Sequence, residues 1–359
     1  MRASQRGAAA RPRVTPLGDR VLPPVRLVVL RLAVAVALVV LSACSAPAPA
    51  TGHRPSHVAS PSRSHARQTH SPDAQVRLGK LGRFRTARGI LAVTEPASAG
   101  TGQRRRLLIQ IWHPTRSAGT ASRPLPLIVF GPGFMQCANP YGDLLRAWAS
   151  AGYVVAAVNF PRSDCRVGSA ATESDLVNQP HDISYAITAL LRRTTVSGAR
   201  LDRSKVAIAG QSDGGDTVAA VAANSCCTDR RVRAVAVLSG AEWPAMPGAF
   251  FARAPVPMLF TQGSSDTVNL PGCSVAMYRA DQASDRFYLD LFGADHTGPY
   301  WGRNRYERIV ARVTLAFFNR YVLGQRAAAR AMRRFGNAGP VARLFSRGGG
   351  HLPSGPCVT

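Results

Sequence analysis

Residues 206–220, VAIAGQSDGGDTVAA, pass from a continuous apolar stretch into a helical pattern with no loop between them. So abrupt a strand-to-helix junction needs a sharp turn, where side chains would collide with the neighbouring strand and helix. Gly210, Gly214 and Gly215 remove that collision and leave Ser212 at the tip of the pattern Gly210-Gln211-Ser212-Asp213-Gly214. A G-x-S-x-G in this setting lifts one hydroxyl clear of a sheet and aims the next N–H the same way. It predicts an α/β architecture and a candidate nucleophile together.

The chain from residue 76 to 324 agrees with that architecture. Apolar, β-rich runs at 107–113, 127–131, 153–160, 206–210, 234–240, 257–263 and 287–293 read as strands. Helical patterns at 141–152, 182–193, 216–224, 274–282 and 306–324 lie between them. Continuous apolar strands separated by helices predict a mostly parallel sheet covered on both faces.

A serine hydroxyl needs a base to take its proton, and the base needs an orienting acid. Behind such an elbow the partners follow in the order acid, then histidine. The strand at 257–263 runs into Asp266, and the next strand runs into Asp295-His296. Ser212, Asp266 and His296 thus fall at one edge of the predicted sheet, where the sites of open α/β sheets collect. Asp295 and Glu242 are the alternative acids, although direct sequence neighbours such as Asp295 and His296 seldom face each other. His113 and His181 read as structural. An oxyanion hole needs a second N–H from the loop after an early strand. Phe134, in Gly131-Pro132-Gly133-Phe134, is the candidate, paired with the Asp213 N–H.

With these residues in place, PLIVFGPGF, ASAGYVVAAVNFPRSD, DLVNQPHDISYAITALL, LDRSKVAIAGQSDGG, PMLFTQGSSDTVN and LFGADHTGPY resemble the α/β-hydrolase fold. The resemblance is to the group of dienelactone hydrolase-like esterases, chlorophyllases, platelet-activating-factor acetylhydrolases and cutinase-type polyester hydrolases. It implies a Ser212–Asp266–His296 triad cleaving carboxylic esters, with oxyanion donors at Phe134 and Asp213. It also implies an aromatic substrate platform at Phe134 and Trp243. A lipase, thioesterase or peptidase would use the same triad, and a non-catalytic surface protein binding anionic envelope polymers is the alternative of another class. Three positions depart from the group: Pro132 and Gln211 stand where histidine is common, and Asp213 where Met, Leu or Ala is usual. Asp213 suits a helix N-terminus, but puts a carboxylate beside a developing oxyanion.

Residues 1–44 read as a secretory signal. Arg26 and Arg31 precede a 12-residue apolar stretch at 32–43, which is short for a membrane span. Leu-Ser-Ala-Cys44 resembles a bacterial lipobox, which implies lipidation of Cys44; an uncleaved anchor is the alternative. Residues 45–75, rich in Ser, Pro, His and Arg, read as a tether. The protein is expected outside the cytoplasm, held at a membrane by its lipid or secreted, and monomeric. No metal-ligand spacing or cofactor motif is present, so neither a metal nor a cofactor is expected.

The formal net charge is +26, from 45 Lys+Arg against 19 Asp+Glu, and only Lys80 and Lys205 are lysines. So basic a chain suggests a polyanionic partner, yet no nucleic-acid motif occurs. Near-exclusive use of Arg alongside abundant Ala, Gly and Pro fits compositional bias as well. Eleven basic residues against Glu307 lie in 301–359, and 325–359 reads as a basic C-terminal extension. Setting Cys44 aside leaves six cysteines, an even number suited to an oxidising compartment. Cys137 and Cys165, on loops after neighbouring strands, are expected to pair. The adjacent Cys226 and Cys227 are expected to bond to different partners, with Cys273 and Cys357 as the remainder.

Overall fold

The apolar runs that alternate with helices build one nine-stranded sheet, in the order β1-β2-β4-β3-β5-β6-β7-β8-β9. The computed structural model describes residues 82–357 apart from 98–99, 116–122, 253–255 and 348–349. The signal, the tether and Cys44 lie outside the described residues. The strands are β1 (Thr86–Glu95), β2 (Arg105–Pro114), β3 (Leu125–Gly131), β4 (Val154–Asn159), β5 (Leu201–Gln211), β6 (Val232–Leu238), β7 (Met258–Gly263), β8 (Arg286–Leu291) and β9 (Ala342–Ser346). From β4 through β3 and β5 to β8 all pairings are parallel; β1, β2 and β9 join antiparallel.

Successive residues of a strand point to opposite faces, and the central strands use both. Leu127 and Val129 of β3 enter one core, and Ile128 and Phe130 the other. Val154, Ala156 and Val158 of β4 join the first, Val155 and Ala157 the second. The first core is closed by α2 (Gln179–Leu191), α3 (Asp213–Ala223) and α4 (Pro271–Ala280). The second is closed by α1 (Gly142–Ser150), α5 (Arg305–Tyr321) and α6 (Ala328–Gly336). This is the mostly parallel, doubly covered sheet of the α/β-hydrolase fold.

The boundary expected at residue 324 is displaced. The segment read as a basic extension carries α6, which packs on α5, and β9, which pairs with β8. The physical reason is the buried side of α6, made of the small or flexible Ala328, Met332 and Gly336, with its arginines outward. The last residues then return over α4, where Cys357 bonds Cys273 with 4.4 Å between Cα atoms. Cys137 and Cys165 pair as expected. Cys226 and Cys227 do not have separate partners, because they bond to each other. The returning tail supplies the partner that leaves them as a pair.

One buried ionic cluster fixes the flank of the sheet nearest α2. Arg105, the first residue of β2, places Nε and Nη2 at 2.7 and 2.6 Å from the two carboxylate oxygens of Asp182. Its Nη1 and Nη2 reach Asp175 at 2.8 and 2.7 Å. Glu95, which ends β1, is fully buried beside them. Burial pushes its carboxyl up to about 8, and the charge of the nearby Asp182 adds to the rise. The folded protein therefore keeps a proton that the unfolded chain releases near 4.5. Stability must fall as pH rises between those two values and level off above the higher one. Glu95→Gln is expected to abolish that fall, leaving the variant on the order of 2 kcal/mol more stable in alkaline buffer. Urea melts across that pH window check it; parallel curves for the two proteins would refute the expectation.

Candidate active site

The turn from β5 into α3 is as tight as the glycines require. A Cβ on Gly210 would lie 2.0 Å from the Gly214 carbonyl oxygen, and one on Gly214 would lie 1.9 Å from that of Gly131. Ser212, between β5 and α3, has φ 55° and ψ −127°, a conformation rare for any residue with a side chain. Its N–H donates to the Leu238 carbonyl of β6 (3.0 Å), and its carbonyl accepts from Gly215 and Asp216. The strained serine is thus held by its own helix and the adjacent strand.

His296 sits in the turn after β8, half-buried. Its Nε2 lies 3.0 Å from Ser212 Oγ and its Nδ1 lies 2.8 Å from Asp266 Oδ2. Asp266 is 3% exposed, after β7. Its Oδ1 accepts from the Val268 and Asn269 N–H groups, and its Oδ2 also from Gln262 Nε2 at 2.8 Å. With His296 that makes four donors on one carboxylate, which fix its orientation against the ring. Asp295 is used otherwise: its Oδ1 accepts from the Thr297 and Gly298 N–H groups and shapes the turn that carries His296. Tyr300 anchors the same turn by donating to the Thr261 carbonyl. Glu242 shows no bond to His296, and burial raises its carboxyl. Of the three acids considered, Asp266 is the one against the imidazole.

Phe134 lies in the turn after β3, half-buried. The amides that follow it are committed, Met135 to the Ser163 carbonyl and Gln136 to that of Gly133. Asp213 opens α3, so its N–H has no carbonyl one turn back within the helix. The Cys137–Cys165 bond ties this turn to the loop after β4. Met135, which sequence reasoning passed over, is 44% exposed with φ 54° beside Phe134. Trp243 follows β6, half-buried against Leu176, Ala220 and Met246. His113 lies on β2, near its neighbour's carbonyl, and His181 on α2.

Two further residues enter that sequence reasoning did not assign. Gln211, noted only as a departure, is 1% exposed and donates from Nε2 to the His296 carbonyl at 3.2 Å. The same nitrogen lies 3.2 Å from His296 Nε2. Its Oε1 accepts from the hydroxyl of the fully buried Tyr141 at 2.7 Å. That hydroxyl in turn accepts from the Gly133 N–H at 3.2 Å. No local pattern announces a contact between residues 70 positions apart.

Asp213 is the electrostatic exception. Burial, and then the charge of Glu173, pushes its carboxyl up to about 7, while its own backbone N–H favours the ionised form. One carboxylate oxygen is buried without a partner. Above that pH the carboxylate draws the very N–H that an oxyanion would use; below it the group is neutral. Asp213→Asn is therefore expected to exceed the wild type in kcat by about tenfold well above pH 7, where tenfold is about 1.4 kcal/mol of barrier. The advantage should vanish well below that pH. A constant ratio across the profile would contradict it.

The family model described as PET hydrolase-like matches residues 81–329. No individual curated protein matches the chain. The match begins just before β1 and runs through the turn carrying His296, so it covers the whole arrangement set out above: the chain belongs to the PET hydrolase-like family of α/β-hydrolases.

Proposed function

We propose that the protein is a serine hydrolase that cleaves carboxylic esters through an acyl-enzyme. The observation that carries this reading is the His296 ring set between Ser212 and Asp266, at 3.0 and 2.8 Å. Asp266 accepts the Nδ1–H and leaves the Nε2 lone pair facing Ser212. As Oγ attacks the ester carbonyl, Nε2 takes its proton, and Asp266 stabilises the imidazolium. The tetrahedral oxyanion accepts from the Phe134 and Asp213 N–H groups. The imidazolium then protonates the departing alcohol. Water, deprotonated by the same Nε2, releases the acid and restores Ser212. Phe134 and Trp243 are the proposed apolar substrate contacts.

A fluorophosphonate probe tests the chemistry, since it modifies only an activated serine. Mass spectrometry should find the adduct on Ser212, and the labelled protein should no longer release p-nitrophenol from an ester or soluble product from a polyester film. No adduct, or an adduct elsewhere, would refute the reading.

The proposed place of action is the cell envelope, with Cys44 lipidated. The disulfides are compatible with an oxidising compartment. No helix among the described residues is long and apolar enough to cross a membrane. The basic flank supports attachment to an anionic surface: Arg326, Arg330, Arg333, Arg334, Arg343 and Arg347 are all exposed. Neutralising all six is expected to weaken binding to anionic vesicles by up to about four orders of magnitude at low salt, at on the order of 1 kcal/mol per charge near the surface. Unchanged binding would favour compositional bias as the origin of the charge.

A further inference from the structure

We propose that Tyr141 and Gln211 are positioning residues, which lock the turn carrying the oxyanion donor to the histidine base. The inference rests on the serine-hydrolase reading above. Its evidence is a chain of buried hydrogen bonds: Gly133 N–H to Tyr141 Oη, Tyr141 O–H to Gln211 Oε1, and Gln211 N–H to the His296 carbonyl. The chain fixes its own direction. Tyr141 Oη accepts from an amide, so its one proton goes to Gln211. The carboxamide oxygen is then taken, and its NH2 must face His296. Tyr141 and Gln211 are 0% and 1% exposed, so no water competes for these groups.

Two consequences follow for the reaction. The first is geometric. Gly133 precedes Phe134, and a Cβ on it would come within 3.0 Å of Gln211 Oε1 and 3.1 Å of Ser212 Cβ. The turn after β3, the elbow after β5 and the turn after β8 therefore meet through this one chain. Cutting it frees the Phe134 N–H to drift from where the oxyanion forms, and positional errors of that kind are paid in kcat.

The second concerns the proton. Gln211 Nε2 stands 3.2 Å from His296 Nε2, the atom that receives the Ser212 proton. As a donor it complements the neutral imidazole and opposes an N–H at that atom. Nε2 thus faces two donors, this amide and the Ser212 hydroxyl, which hold its lone pair towards the nucleophile. The charged groups beside His296 are Asp266 on Nδ1 and the adjacent Asp295, whose Oδ1 is occupied by its turn. None of these changes when Gln211 becomes an apolar residue of similar length.

The experiment compares Tyr141→Phe, Gln211→Met and the double variant in the full chain, with each rate divided by the fraction of sites titrated by fluorophosphonate. That division removes misfolded protein. Each single change is expected to lower kcat about tenfold with KM within about twofold, and the double change to cost no more than the worse single, because both cut one chain. Losses that multiply, a loss confined to KM, or single variants as fast as the wild type would overturn the proposal. Failure of the wild type itself to label would instead indict the hydrolase reading.

Discussion

Ser212→Ala is expected to lower kcat for a p-nitrophenyl ester by about four to six orders of magnitude, with KM little changed. Removing the nucleophile leaves the proposed oxyanion donors and substrate contacts in place, so binding is expected to persist while the covalent route disappears. His296→Ala should cost nearly as much. In the proposed mechanism the two act as a unit joined by the 3.0 Å contact between Nε2 and Oγ. The double variant should therefore be hardly worse than either single one. Multiplying losses in steady-state assays, free of contaminating esterase, would mean that the serine and the histidine work separately. Asp266→Asn should cost somewhat less than either, because it leaves the nucleophile and base in place but favours the wrong imidazole tautomer.

The largest expected effect on stability lies far from the nucleophile. Arg105→Met removes the only cation paired with Asp175 and Asp182 in the described structure, both of which are almost fully buried. Two carboxylates would remain without compensation in a dry setting, and breaking such a cluster from one side costs about 3–5 kcal/mol. Arg105→Lys should recover little, because one ammonium cannot supply the paired, planar donors that two carboxylates share here. Replacing Arg105, Asp175 and Asp182 together by apolar residues of similar volume should recover most of the loss. Urea denaturation of the three variants separates these outcomes. If Arg105→Met melts like the wild type, the cluster does not hold the fold. Asp175 lies in the 3₁₀ turn Glu173–Asn178, which also carries Glu173, the charge acting on Asp213. Loosening this cluster should thus also blunt the pH response expected of Asp213.

What could be read beforehand, and what could not, follows from where each signal resides. The seven interior strands and five of the six helices were legible because strands buried inside a sheet leave apolar runs, and β3 is buried along nearly its whole length. β1 escaped because it alternates half-buried and exposed residues, Arg88 and Ile90 among them. β9 escaped because five residues containing Arg343 carry too little apolar pattern. The strand-end placement of Ser212, Asp266 and His296 was legible because strand and loop can be read locally and the order is fixed by the fold. The chain from Gly133 through Tyr141 to Gln211 was not, since only the folded sheet brings those residues together. The cysteines divide along the same line. Cys137 and Cys165 follow adjacent strands, whereas Cys273 meets Cys357 only because the tail doubles back.

The sheet ends differently at its two sides, and this decides how copies of the domain can associate through their backbones. At the β9 side the outward Leu344 N–H is taken by Asn337 Oδ1, and the Ala342 carbonyl accepts from the Ala338 N–H. Two of the outward backbone groups of this short strand are thereby occupied. At the far side β1 runs for ten residues with one strand partner among the described residues, and Ile90 is 73% exposed. An incoming strand would therefore find more open backbone along β1 than along β9, where the turn after α6 has taken two of the edge groups.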